Sequence, residues 1–187
     1  MSNLLIIGAG GHGKVVAEAA ELENKYDKIS FLDDNNDVKN VFDFKVIGKI
    51  NEYGKFANEY KYAFVAIGNN EKRLKLINKL MKAGYSVPNV IHPKSYVSKY
   101  SSVGLGTVIL SGAVVNVNSK VGVGCILNIN STIDHDCNIG NGVHISSGAV
   151  IRSMVNIQDL SVIGPGACIT SGKVISKNSL IDAGTVI

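Results

Sequence analysis

Ile109 to Ile145 reads ILSGAVVNVNSKVGVGCILNINSTIDHDCNIGNGVHI, and every sixth residue in it is Ile, Val or Leu. The run extends both ways: Ile91, Val97, Val103, Ile109, Val115, Val121, Leu127, Ile133, Ile139, Ile145, Ile151, Ile157, Ile163, Ile169, Ile175, Ile181 and Ile187 are seventeen positions six apart without an insertion. These residue types fill only about a third of the segment, so chance would give the run with a probability on the order of one in a hundred million. Four residues after each comes a second register of mostly small residues, among them Thr107, Ala113, Ser119, Cys125, Ser131, Cys137 and Ala149, with Val143, Val155 and Lys173 as exceptions.

A six-residue unit with one large aliphatic and one small inward residue is too short for a helix pair, and its β-branched bias favours strand. It predicts a hexapeptide β-helix over 91–187, in which short strands turn corners and equivalent residues stack about 4.8 Å apart. The handedness of the coil does not follow from the period, since the general rule for crossovers favours the right hand.

Charge density falls sharply near residue 90. Thirteen basic and eleven acidic residues lie in 1–90, six and four in 91–187, so each part carries +2 and the boundary is placed there. With no basic cluster and an aromatic content of 6%, a nucleic-acid groove is not expected, whereas a mildly positive protein suits small anionic ligands. The apolar run Leu4–Ile7 is too short for a signal peptide and no stretch is long enough to span a membrane, so a cytoplasmic location is expected. Of the three cysteines, Cys125 and Cys137 fall in the small inward register, which reads as core and not as a disulfide or a metal site.

In 1–90 the run Leu4-Leu5-Ile6-Ile7 reads as a buried strand leading into Gly8-Ala9-Gly10-Gly11-His12-Gly13, a G-x-G-x-x-G turn, and then into a helix with Val15, Val16, Ala19, Ala20 and Leu22 on one face. Strand, glycine turn and helix in this order form a diphosphate cradle, because glycines admit the ligand to the backbone and the helix N-terminus stabilises its charge. A tight turn without a ligand is the plainer alternative. Ile29–Leu32 predicts a second strand ending at Asp33-Asp34, where an acid can accept from ribose hydroxyls or a base, although the same residues also make an ordinary polar turn. After a variable stretch around Val41–Tyr53, Tyr62–Ile67 predicts a third strand closing on Gly68-Asn69-Asn70, and Glu71–Ala83 a second helix stopped by Gly84. Two or three βα units make half of a doubly wound domain, which favours a mononucleotide diphosphate such as a UDP-sugar over NAD. His92, in the His92-Pro93 entry to the repeat, reads as structural.

One hexapeptide, Ile133-Asp134-His135-Asp136-Cys137-Asn138, combines a histidine with two carboxylates. Imidazole is suited to taking a proton from an amine or hydroxyl near neutral pH, and a neighbouring carboxylate raises its basicity. A solvated polar coil is the plain alternative. In a regular strand Asp134 and Asp136 would face away from His135, so any pairing needs a corner or an acid from elsewhere.

These segments together, Gly8–Val16, Phe31–Asp34, Ala66–Glu71 with Arg73, and Leu127-Asn128 followed by Ile133–Cys137, resemble the sialic-acid O-acetyltransferase-like sugar acyltransferases, and within them the UDP-4-amino-sugar N-acetyltransferases. The resemblance covers the whole chain. It implies an α/β N-terminal half-Rossmann-like domain (1–90) that binds the nucleotide sugar, then a left-handed parallel β-helix (91–187) of a little over five coils, and a homotrimer with acetyl-CoA in the groove between neighbouring β-helices. By motif position it implies that His135 is the general base, Asp136 the acid beside it and Asn128 a polar group facing the sugar. Gly10, Gly11, His12, Asp33, Asp34 and Gly68 would hold the UDP part, His144 would contact acetyl-CoA, and Ser153 would offer a backbone N–H to the acetyl carbonyl. Asp136 stands where near relatives carry Glu, one methylene longer. The implied reaction is direct, metal-free acetyl transfer from acetyl-CoA to the amine of a UDP-amino sugar. O-acetylation of a sialic acid or related sugar, and a non-catalytic UDP-sugar-binding trimer, are the alternatives. NAD-dependent oxidoreduction is disfavoured by the small nucleotide domain.

Overall fold

Continuous apolar runs build the centre of the first sheet. β1 (Asn3–Ile7) is buried along its whole length and pairs in parallel with β2 (Lys28–Leu32) on one side and β5 (Tyr62–Val65) on the other. This is a computed structural model, and it describes residues 2–187. The stretch that looked variable holds β3 (Asn40–Val41), β4 (Phe44–Gly48) and a 3-10 turn over Ile50–Phe56. β4 extends the parallel sheet beyond β2, while β3 closes the edge antiparallel, giving the order β3-β4-β2-β1-β5. α1 (Gly11–Leu22) and α2 (Asn70–Lys82) follow β1 and β5. The strand order therefore reverses between β1 and β5, and in such sheets ligands bind outside the carboxyl ends at that switch point. Both the glycine turn and Gly68-Asn69-Asn70 lie there.

The repeat forms sixteen two-residue strands, β6 (Val90–Ile91) to β21 (Leu180–Ile181), as a left-handed parallel β-helix. Each strand pairs with the one three strands on, so partners such as Val115 and Ile133 stand eighteen residues apart and three hexapeptides make one coil. The coil has three faces. The first carries β6, β9, β12, β15, β18 and β21, the second β7 to β19 in steps of three, and the third β8 to β20 likewise. The aliphatic register fills the interior, fully buried from Ile109 to Ile169 except at Val121 and Ile139, which are 4% and 2% exposed.

The small inward register has a hydrogen-bonding task as well as a size limit. Thr107, Ser119, Cys125, Cys137 and Ser161 each donate to a carbonyl fifteen residues ahead, at 3.0, 2.5, 3.1, 3.1 and 2.8 Å. Corner carbonyls that would otherwise be buried without partners are satisfied from inside the tube. A third register escaped the sequence reading: fourteen consecutive corners, every sixth residue from Gly106 to Gly184, have a positive φ. Eight are glycine, and the others include Asn118, Asn130, Asp136 and Asn178, side chains that tolerate the left-handed region.

The two parts share their cores. Val16, Ala17 and Ala20 of α1 lie in one buried cluster with Val90, Val108, Leu110 and Ile126 of the first face. α2 rides on the corner leading into that face. A Cβ at Gly124 would stand 2.7 Å from Ile77 Cδ1 and 2.8 Å from Leu74 Cδ2, so glycine lets the helix approach. No helix among the described residues is long and apolar enough to cross a membrane.

Candidate functional site

The glycines of the first turn divide by what surrounds them. Gly8 has φ +105°, and a Cβ at Gly13 would lie 2.2 Å from Gly8 O, so both are required by the fold. Gly10, Gly11 and Gly68 have nothing within 4 Å of where a Cβ would stand. The bare backbone of Gly10 and Gly11 faces open space at the N-terminus of α1, and that of Gly68 faces it just before α2, which packing alone does not demand and which suits an anionic group. Asp33 braces this turn, its Oδ2 accepting from Ala9 N–H at 2.6 Å and its Oδ1 from Asn35 N–H at 2.7 Å. Asp34 accepts from Ile50 N–H at 3.1 Å, and Lys49 donates to its carbonyl at 2.7 Å. The two acids thus organise the rim and retain lone pairs for a ligand.

His12 opens α1 and meets His144 across the domain junction. His144 lies in β15 (His144–Ile145), and its neighbours in the stacked outward column of the first face are Val108, Ile126 and Val162. An apolar column that packs under the N-terminal domain is thus interrupted by one imidazole beside the glycine turn. The Nε2 atoms of both histidines are buried without a hydrogen-bond partner in the protein. Burial, reinforced by the charge of Arg73, lowers each to about 4, so both rings are neutral at pH 7.

His135 stands on a corner, between β13 (Thr132–Ile133) and β14 (Asn138–Ile139). Asp136 occupies the left-handed position of that corner, with φ +59°, and this breaks the alternation that would have turned it away. Its Oδ2 lies 2.7 Å from His135 Nδ1, so aspartate reaches the ring without the extra methylene of glutamate. The hydrogen bond to Asp136 raises His135 above the ordinary histidine value, and the same bond, with one from Asn118, lowers Asp136. With Asp136 accepting from Nδ1–H, the lone pair of the neutral ring is on Nε2. Ser119 clamps the corner from inside, donating to Asp134 O at 2.5 Å and accepting from Cys137 N–H at 3.0 Å.

The remaining candidates are dispersed. Ser153 occupies the place of His135 one coil later, and its Oγ lies 3.1 Å from Ser171 Oγ. Asn128 is on the preceding corner, where its Oδ1 accepts from Ile129 N–H at 2.8 Å. The corner of His135 joins the second face to the third and therefore lies opposite the first, where His144 and the N-terminal domain sit. One chain keeps its glycine turn and His135 on opposite sides of the coil. His92 holds its own turn, Nδ1 accepting from Lys94 N–H at 3.0 Å. The sequence reading missed the roles of Asn118 and Ser119, although the eighteen-residue step places Asn118 over Asp136.

Residues 3–80 match the family described as the PglD N-terminal domain. UDP-N-acetylbacillosamine N-acetyltransferase of Bacillus subtilis (strain 168) is 30% identical over 122 residues, which are 59% of this chain and 52% of that protein. The match thus spans about half the length of this curated relative. The acetyltransferase domain of PglB from Neisseria gonorrhoeae FA1090, in complex with acetyl coenzyme A, is 38% identical, with a TM-score of 0.95 over 99% of this chain and 90% of that one. PerB from Caulobacter crescentus, in complex with CoA and GDP-perosamine, is 30% identical, with a TM-score of 0.94 over 100% and 89%.

Proposed function

The chain belongs to the hexapeptide-repeat sugar acetyltransferases, and we propose that it transfers the acetyl group of acetyl-CoA to the amino group of a UDP-linked amino sugar of the 4-amino-4,6-dideoxy type. The observation that carries the reading is the His135–Asp136 pair at 2.7 Å on an exposed corner, with Nε2 free to take a proton. The amine nitrogen attacks the thioester carbonyl while His135 Nε2 accepts its proton. The carbon–sulfur bond then breaks, CoA leaves as a thiolate that takes up a proton, and the amide remains. Ser153 N–H polarises the acetyl carbonyl and Asn128 orients the sugar. Gly10, Gly11, His12, Asp33, Asp34 and Gly68 hold the UDP part, and His144 contacts acetyl-CoA.

Because cradle and base lie on opposite sides of one coil, we infer that the site is completed in a homotrimer, in which the His135 corner of one subunit meets the first face of the next. Co-assembling His135→Ala with Gly11→Val chains should then restore activity that neither variant has alone. A monomer at micromolar concentration would contradict this arrangement.

The activity itself is tested by incubating the protein with acetyl-CoA and a panel of UDP-amino sugars. The expected outcome is one acetyl group gained by the sugar, stable to mild alkali, per CoA thiol released. An alkali-labile ester would mark the O-acetyltransferase reading, and binding of UDP without turnover of any sugar the scaffold reading.

A further inference from the structure

Arg73 projects from the first turn of α2 into the junction of the two domains, where it is 1% exposed. Among the described residues it makes no salt bridge to a carboxylate. All five guanidinium N–H groups nevertheless have acceptors. Nε donates to Gly124 O at 2.7 Å, Nη1 to Ile67 O and Gly68 O at 2.9 and 3.0 Å, and Nη2 to Asn70 Oδ1 and Gly142 O at 2.7 and 3.0 Å. Ile67 and Gly68 form the turn after β5 at the switch point, while Gly124 and Gly142 are equivalent corners on successive coils of the β-helix. One rigid planar fork therefore ties the nucleotide side of the cleft to the β-helix side, which a lysine with three donors on a flexible stem cannot reproduce.

We propose that Arg73 is a positioning residue that sets the registration between the nucleotide-sugar cradle, marked by His12 and Gly68, and the β-helix face that presents His144. This rests on the assignment of the cradle to the nucleotide sugar and of His144 to acetyl-CoA. If the two ligands are held by different domains, the distance between amine and thioester depends on how those domains are locked, and a misplacement of about 1 Å can lower a rate on the order of a hundredfold. The guanidinium has a second effect. Burial brings Arg73 down to about 10, which leaves it charged at pH 7, and its charge adds to burial in keeping His12 and His144 neutral. The charged and titratable groups facing this histidine pair are Arg73 and the two rings themselves.

The test compares Arg73→Lys and Arg73→Gln with the wild type in three readouts: turnover, calorimetric binding of UDP and of CoA, and NMR titration of the four histidines. Arg73→Lys, which keeps the charge and loses the fork, should lower kcat about tenfold or more while each dissociation constant changes less than about threefold, with the histidine midpoints unmoved. Arg73→Gln should in addition raise the midpoints of His12 and His144 and leave that of His135 in place. If Arg73→Gln does not fold, the split between kcat and binding in Arg73→Lys decides. Turnover of Arg73→Lys within twofold of wild type would overturn the proposal, as would loss of UDP binding in proportion to turnover. Should the wild-type protein acetylate no UDP-amino sugar, the proposed function falls. The crystal structure of Arg73→Lys then still decides for Arg73, a displacement of Gly68 relative to Gly124 and Gly142 supporting the lock and an unchanged spacing refuting it.

Discussion

Asn118 Nδ2 donates to Asp136 Oδ1 at 3.2 Å from one coil before it, and both residues take the left-handed conformation of their corners, at φ +57° and +59°. The coil stacks equivalent corners eighteen residues apart, so the amide lies over the carboxylate and leaves Oδ2 turned toward His135. Asn118→Gly, which keeps the left-handed corner, should release this carboxylate with little change in folding, since the pair is exposed. A hydrogen bond of about 1 kcal/mol corresponds to roughly a fivefold loss of turnover. The pH–rate profile checks it: the lower limb should move toward the ordinary histidine value.

That limb has a definite sign. His135 must be neutral to accept a proton, and Asp136 holds it above 6.5, so activity should rise with pH through a midpoint above that value. Asp136→Asn removes the bond to the carboxylate, so the midpoint should fall and the plateau drop by roughly tenfold or more. A midpoint that stayed put would show that the carboxylate does not tune the base.

His12 and His144 govern acid stability. Both are lowered from 6.5 to about 4 in the folded protein, so the unfolded chain binds protons first as pH falls. Their contribution is complete above 6.5 and is lost between there and about 4, which at pH 5 amounts to about 2 kcal/mol per ring. Urea unfolding at pH 7.5 and pH 5 measures this. His144→Val, which continues the apolar column of Val108 and Val162, should flatten the acid limb and leave stability at pH 7.5 nearly unchanged.

Two glycines only two residues apart, Gly11 and Gly13, should respond in opposite ways. Gly13→Ala drives a methyl group into Gly8 O and should destabilise the fold by roughly 1–3 kcal/mol. A Cβ at Gly11 meets nothing within 4 Å, so melting of Gly11→Val should change little while calorimetry shows UDP binding lost and CoA binding kept. The reverse selectivity would assign the turn to the acyl donor.

Much of this architecture was legible because a period of six is incompatible with a helix, so seventeen aliphatic positions could only stack inside a coil. The glycine turn was legible for a similar reason, since strand, turn and helix follow one another directly. β4 was not, because an off-centre strand that is only half-buried has no continuous apolar run. The His135–Asp136 contact could not be read from strand alternation, since the left-handed corner at Asp136 reverses it. The periodic glycines and asparagines of the third register carried that information and went unread. Arg73 entered the sequence reading only as part of the family resemblance, and only the packing of α2 over Gly124 and Gly142 shows that it is buried.

The central claim is that His135 removes the proton from the attacking amine. Its most direct test is the single-turnover rate of His135→Ala with acetyl-CoA and an accepted UDP-amino sugar, both saturating. The side chain lies outside the aliphatic core, so folding and UDP binding should match wild type while the rate falls by roughly a hundredfold or more. Acetylation at the wild-type rate would contradict the assignment of His135 as the base.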